Sequence, residues 1–231
     1  MRLIRAIVAA AALAGSVVAA PAGATPLTFT YGGVQTGAAP SGSPPWLTAQ
    51  FTDLAPVSGF GRVLLTLTPN LQSDSESITD VMFNLNPSLD ASMLNITGTG
   101  GTASGSFVPP KGNNTIVGPG GAGLFDFEFT FKEFTGKEFF QTVLIYPTQL
   151  AASDFDFLSS PTVALTKTAA ALTDATGRNS IADVQGIPPT GGTGSIFGAP
   201  PQNVVPEPDT LALLGIALMG FVAGSRRSVR R

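Results

Sequence analysis

One run of the chain narrows its fold class before anything else: in Leu124-Phe125-Asp126-Phe127-Glu128-Phe129-Thr130-Phe131, apolar and polar side chains alternate from Phe125 to Phe131. A period of two belongs to a strand, whose successive side chains point to opposite faces. Phe125, Phe127, Phe129 and Phe131 then line one face and Asp126, Glu128 and Thr130 the other, as expected of a half-buried strand. Leu27-Thr28-Phe29-Thr30-Tyr31 alternates in the same way. Shorter apolar or β-branched runs at 46–51, 63–68, 81–85, 94–97, 142–146, 162–165 and 181–184 are each bounded by Gly, Pro, Asn, Asp or Ser.

Short strands at this spacing predict an all-β fold, an antiparallel β-sandwich of jelly-roll or immunoglobulin-like kind spanning residues 25–185. Helical signals are sparse: residues 167–173 could form a turn or two, and residues 149–157 a short helical segment. Residues 98–106 and 109–123 read as loops, and 186–205 as a Pro/Gly-rich linker that holds the domain clear of the C-terminal segment.

Both ends of the chain read as addresses rather than as fold. Met1-Arg2-Leu3-Ile4-Arg5 is a positive start, residues 6–20 are apolar, and Ala22-Gly23-Ala24 supplies small residues around a cleavage point, so residues 1–24 read as a signal peptide. The implied partners are an export translocon and a signal peptidase, with an uncut anchor as the alternative. At the other end, residues 210–224 carry no charge and are rich in Leu, Ala, Gly and Met. A helix there satisfies its own backbone and can sit in lipid. Its reach of roughly 22 Å falls short of a hydrocarbon core of about 30 Å, so it is a cramped permanent span. Arg226, Arg227, Arg230 and Arg231 act as a stop that stays on the cytoplasmic side. Pro206 and Pro208 remove backbone donors and keep the junction extended, within reach of a processing enzyme.

Val205-Pro206-Glu207-Pro208, then Leu211-Ala212-Leu213-Leu214-Gly215 and the arginine cluster, closely resembles the PEP-CTERM sorting domain of Gram-negative bacteria that produce exopolysaccharide. The resemblance covers residues 206–231 and implies recognition of Pro206-Glu207-Pro208 by an exosortase, a membrane-embedded enzyme that cleaves nearby. It also implies an association with exopolysaccharide or biofilm. Asp209 departs mildly from the small residue that many members carry there. An ordinary tail anchor is the alternative. Ser43-Pro44-Pro45-Trp46-Leu47-Thr48-Ala49-Gln50-Phe51-Thr52-Asp53, Phe83-Asn84-Leu85-Asn86-Pro87, Ala151-Ala152-Ser153-Asp154-Phe155 and Ala182-Asp183-Val184-Gln185-Gly186 resemble a recurrent ectodomain type of such proteins, of unassigned function. This second resemblance implies a β-rich secreted fold and no activity.

Six of the 12 basic residues lie in the two terminal segments but only two of the 15 acidic ones, so the domain between them carries about −7 rather than −3. An acidic surface of this kind disfavours nucleic acid and anionic lipid as partners. With no His and no Cys in the sequence, the common triads and zinc sites are excluded, and no cofactor is expected. Paired carboxylates remain, and Asp126 with Glu128 is the pair that alternation puts on one face. Such residues on a polar face more often simply meet water, so the expected class is non-enzymatic. Asp154 and Asp156, and Asp74 with Glu76, could offer oxygen ligands to calcium but lack the longer spaced loop of an EF-hand. Glycan binding favours exposed flat aromatics, and the candidates are Trp46, Tyr31 and Tyr146, with a core role the competing reading of Trp46. The pairs Thr28/Thr30 and Thr66/Thr68 resemble elements of ice-binding surfaces, but no regular repeat in the sequence joins them into a flat ladder. The expected protein is a surface or extracellular-matrix component processed by an exosortase. A glycan-binding module, with or without calcium, or a carbohydrate-active enzyme is the alternative.

Overall fold

A computed structural model describes residues 26–160 and 178–200. Alternation becomes strand wherever the pattern is clean. Val63, Leu65 and Leu67 are buried in β3 (Phe60–Pro69) while Leu64, Thr66 and Thr68 turn outward. Phe140, Leu144 and Tyr146 are buried in β10 (Phe140–Tyr146). The remaining strands are β1 (Leu27–Gly37), β2 (Leu47–Val57), β4 (Ser77–Phe83), β5 (Asn95–Gly101), β6 (Gly105–Val108), β7 (Ile116–Val117), β8 (Leu124–Phe125), β9 (Phe127–Phe134), β11 (Ser180–Ile187) and β12 (Gly192–Ala199). Helical structure among the described residues is limited to 3-10 turns at Ala91–Met93, Pro119–Gly121 and Ala152–Phe155. The last of these lies in the segment where a short helix is expected.

The all-β, antiparallel expectation holds, but the strands form one sheet where a sandwich of two was expected. Ten strands pair in the order β5-β10-β3-β2-β1-β12-β11-β4-β9-β6, and β7 and β8 make a separate ribbon. The sheet stays continuous because β1 serves both halves: residues 27–31 pair with β2, residues 30–37 with β12. Two register irregularities in β1, at Tyr31/Gly33 and Val34/Thr36, give it the bend this requires. Glycine is needed at the first of them, since a Cβ at Gly33 would overlap the Phe197 ring.

The sheet rolls until it is nearly a barrel. Phe140, next to one edge of the sheet, packs against Phe131 and Phe129, next to the other, with ring centroids 5.2 and 5.4 Å apart. Phe29, Phe51, Phe83, Phe127 and Phe155 fill the interior, with Phe51 and Phe155 stacked at 4.4 Å and Phe51 edge-on to Phe83 at 5.2 Å. Each fully buried ring contributes about 1.5–3 kcal/mol by leaving water, and each well-set pair roughly 0.5–1.5 kcal/mol more.

Several segment boundaries move. Residues 186–205 were expected to be a linker, yet β11 runs to Ile187 and β12 occupies Gly192–Ala199 in the middle of the sheet. The domain therefore extends past residue 185. Of the expected loops, 98–106 contains the end of β5 and the start of β6, and 109–123 contains β7. The signal segment 1–24, the strand expected at 162–165, the helical turn at 167–173 and the tail 206–231 lie outside the described residues.

Candidate functional site

Asp126 and Glu128 do not share a face. The alternating run breaks between β8 and β9, and Phe125 joins Met82, Ala122 and Ile181 in a cluster apart from the core that holds Phe127, Phe129 and Phe131. Asp126 sits at the break, 3% exposed, with its backbone N–H donating to the Phe83 carbonyl. Its carboxylate accepts backbone N–H bonds from Leu85 at 2.7 Å and from Asn114 at 2.5 Å. Burial pushes its pKa up against the opposing pull of those two donors. Its carboxylate clamps the end of β4 to the loop before β7.

Glu128 instead faces two other carboxylates. Asp183 of β11 lies directly opposite Asp80 of β4, and Glu128 of β9 lies opposite Met82, one outward position along from the Asp80/Thr130 pair. Like charges at this separation repel. Burial, then Asp80, then Asp183 push the Glu128 carboxyl up to about 7. Asp183 is also raised, by burial first, although Ser195 Oγ donates to it at 2.5 Å. Asp80, Asp183 and Ser195 line a groove of about 370 Å³ together with Thr36, Thr79 and Gln185. Alternation could not reveal this group, because its members come from three strands distant in sequence.

The remaining candidates serve the fold. Asp154 accepts from Asn86 Nδ2 and from the Ala151 N–H, both at 2.9 Å, which ties a loop to the start of the 3-10 turn. Asp156 accepts from Asn179 Nδ2 at 2.9 Å. Glu76 is buried and accepts from the Ser41 N–H at 2.6 Å, while Asp74 pairs with Lys137 at the surface. Among the described residues no group of three carboxylates is arranged to hold a metal ion. Trp46 is 6% exposed and belongs to the core, as the competing reading had it. Tyr31 and Tyr146 are buried as well, the latter accepting from the Asp90 N–H at 2.9 Å. None of the three aromatics is the exposed glycan platform considered from sequence.

Ala22, Ala24, Pro206, Glu207, Pro208 and the four arginines lie outside the described residues, so the tail is settled by comparison with known families. The family described as PEP-CTERM protein-sorting motif matches residues 204–227, which takes in Pro206, Glu207, Pro208, Arg226 and Arg227. The tail is a PEP-CTERM sorting motif. No curated protein and no solved structure matches the chain. A PEP-CTERM tail marks an exported protein that passes through the membrane and is recognised by an exosortase.

The domain that this PEP-CTERM tail accompanies has a second outward surface that the sequence pattern left in pieces. Because β2 lies between β1 and β3, the two Thr-x-Thr pairs are brought into register around it. Thr30, Thr48 and Thr68 stand directly opposite one another, and one step along so do Thr28, Gln50, Thr66 and Gln141. Thr30, Gln50 and Thr68 are exposed and the others half-buried. A short threonine ladder therefore exists, although no sequence repeat announces it.

Proposed function

We propose that this PEP-CTERM protein is a non-enzymatic component of the cell surface or extracellular matrix that associates with exopolysaccharide. The chain is exported by removal of the signal peptide after Ala24. It is held briefly by its apolar tail and Arg226, Arg227, Arg230 and Arg231, and is cut by an exosortase at or near Pro206-Glu207-Pro208. The sorting motif at 204–227 carries this reading. The carboxylates that suggested chemistry support it too, because Asp126, Asp154 and Glu76 are engaged by backbone and amide donors inside the fold. No cofactor is required. The test is replacement of the motif: Pro206→Ala with Glu207→Gln is expected to leave the protein in the membrane fraction as an unprocessed precursor. Normal release of the variant would overturn the proposal.

A carbohydrate-active reading has one observation in its favour, the grouping of Glu128 with Asp80 and Asp183 beside a groove. A carboxyl held near neutral pH next to a second carboxylate is the pairing that glycoside hydrolysis uses. Glu128→Gln separates the two readings: hydrolysis of a glycan by the wild type that disappears in this variant would establish the enzyme.

A further inference from the structure

We propose that the outward face of β1, β2, β3 and β10 is the docking surface for an uncharged, polyhydroxylated polysaccharide. This rests on the polysaccharide association proposed above and names where on the domain it occurs.

Charge selects the occupant. The domain carries a net charge near −7, yet the rows Thr30-Thr48-Thr68 and Thr28-Gln50-Thr66-Gln141 contain no charged side chain. On these strands the first outward charge is Arg62, paired with Leu54 and Ile145 on the far side of the intervening Thr52-Leu64-Val143 row. A phosphorylated or uronic acid polymer needs several cations along its path, and this face has none beside the rows. A cationic partner would be drawn to Asp80, Glu128 and Asp183, on the outward face of the other half of the sheet. A protein partner usually draws on arginine anchors, which the rows lack. Since the rows hold no aromatic for a sugar ring to stack on, a polysaccharide here is held by contacts to the threonine hydroxyls and glutamine amides. What remains is a ligand that offers hydroxyls and weakly apolar ring faces.

The geometry suits such a chain. Strands lie about 4.7–4.9 Å apart, so the hydroxyls and amides of each row recur at near-regular intervals across the sheet. Threonine is stiff at χ1, so little side-chain freedom is lost when a ligand binds. Gln141 Nε2 donates to Thr66 Oγ1 at 3.1 Å, which fixes that amide before any ligand arrives. The adjoining Leu64 and Val143 are half-buried and give the C–H faces of sugar rings an apolar strip beside the polar rows.

The test uses the mature secreted protein in affinity electrophoresis through gels containing dextran or hydroxyethylcellulose, with alginate gels in parallel. The variant Thr30→Val/Thr48→Val/Thr68→Val keeps the β-branched shape and removes the hydroxyls. Thr130→Val, on the outward side of β9, is the control, and Thr48→Val alone serves if the triple variant fails to fold. The proposal expects retardation of the wild type in a neutral glucan. The apparent Kd rises at least about tenfold in the triple variant and does not change in the control. Equal retardation of the triple variant and the wild type would overturn the docking face while leaving polysaccharide association standing. Retardation in alginate alone would overturn the uncharged ligand. No retardation in any gel would overturn the association itself, and ice shaping without retardation would reassign the threonine ladder to ice.

Discussion

Across the rolled sheet, the outward side of β1, β2, β3 and β10 presents threonine and glutamine, whereas the outward side of β12, β11, β4 and β9 presents Ser195, Asp183, Asp80 and Glu128. Both sides stand on the same phenylalanine interior and use the same antiparallel pairing, so the fold does not dictate the difference. The first side can meet a ligand without moving a proton. The second holds like charges face to face, a cost that the sheet bears and that pH can relieve.

The severest way to break the comparison is to remove the interior that both sides share. Phe83 packs on Phe29, Phe51 and Phe127 at 6.5, 5.2 and 5.4 Å. Phe83→Ala is expected to cost about 3–5 kcal/mol in denaturant unfolding and to weaken both sides together. Next comes the clamp under the acidic side. Asp126→Leu leaves the Leu85 and Asn114 N–H groups without their acceptor, at about 1–3 kcal/mol for the buried Leu85 donor and less for the part-buried Asn114 donor. The uncharged side should keep its architecture in that variant.

A pH titration sharpens the contrast. Glu128 has its carboxyl raised from 4.5 to about 7 in the fold. Between those values the native protein holds more protons than the unfolded chain, so stability is fullest below about 4.5 and falls as pH rises through about 7. Asp183 and Asp126 are raised too and act in the same direction. Thermal melts from pH 4.5 to 8 should show this decline, and Glu128→Gln should flatten it and raise Tm at pH 8 by a few degrees, at roughly 2–4 °C per kcal/mol for a chain of this size. A slope unchanged by Glu128→Gln would remove the acidic side from the account. The smallest effect belongs to the uncharged side: Thr48→Val should alter stability by less than about 0.5 kcal/mol and leave the pH slope untouched.

Strands were legible in the sequence where one face is apolar and the other polar, as in Leu27-Thr28-Phe29-Thr30-Tyr31 and in β3. Alternation misled at Asp126, because a single break between β8 and β9 sends Phe125 into a different cluster and turns Asp126 inward. β12 was hidden for a different reason. Gly192-Thr193-Gly194-Ser195-Ile196-Phe197-Gly198 has the composition of a spacer, yet its glycines permit close approach rather than flexibility. A Cβ at Gly194 would overlap the Ala38 carbonyl, and one at Gly198 would lie 2.8 Å from the Tyr31 ring. Neither the carboxylate group nor the threonine ladder could be read in advance, since each is assembled by strand order, and strand order rests on long-range pairing. The sorting motif at 204–227 was legible because it is a linear signal, read along the chain without a fold.

That motif also admits the most direct test of the proposal that an exosortase cuts the chain near Pro206-Glu207-Pro208. Intact mass spectrometry of the secreted protein should give a chain that starts at Thr25, ends near Pro206-Glu207-Pro208 and lacks Arg226, Arg227, Arg230 and Arg231. A secreted form whose mass still includes those four arginines would contradict the account.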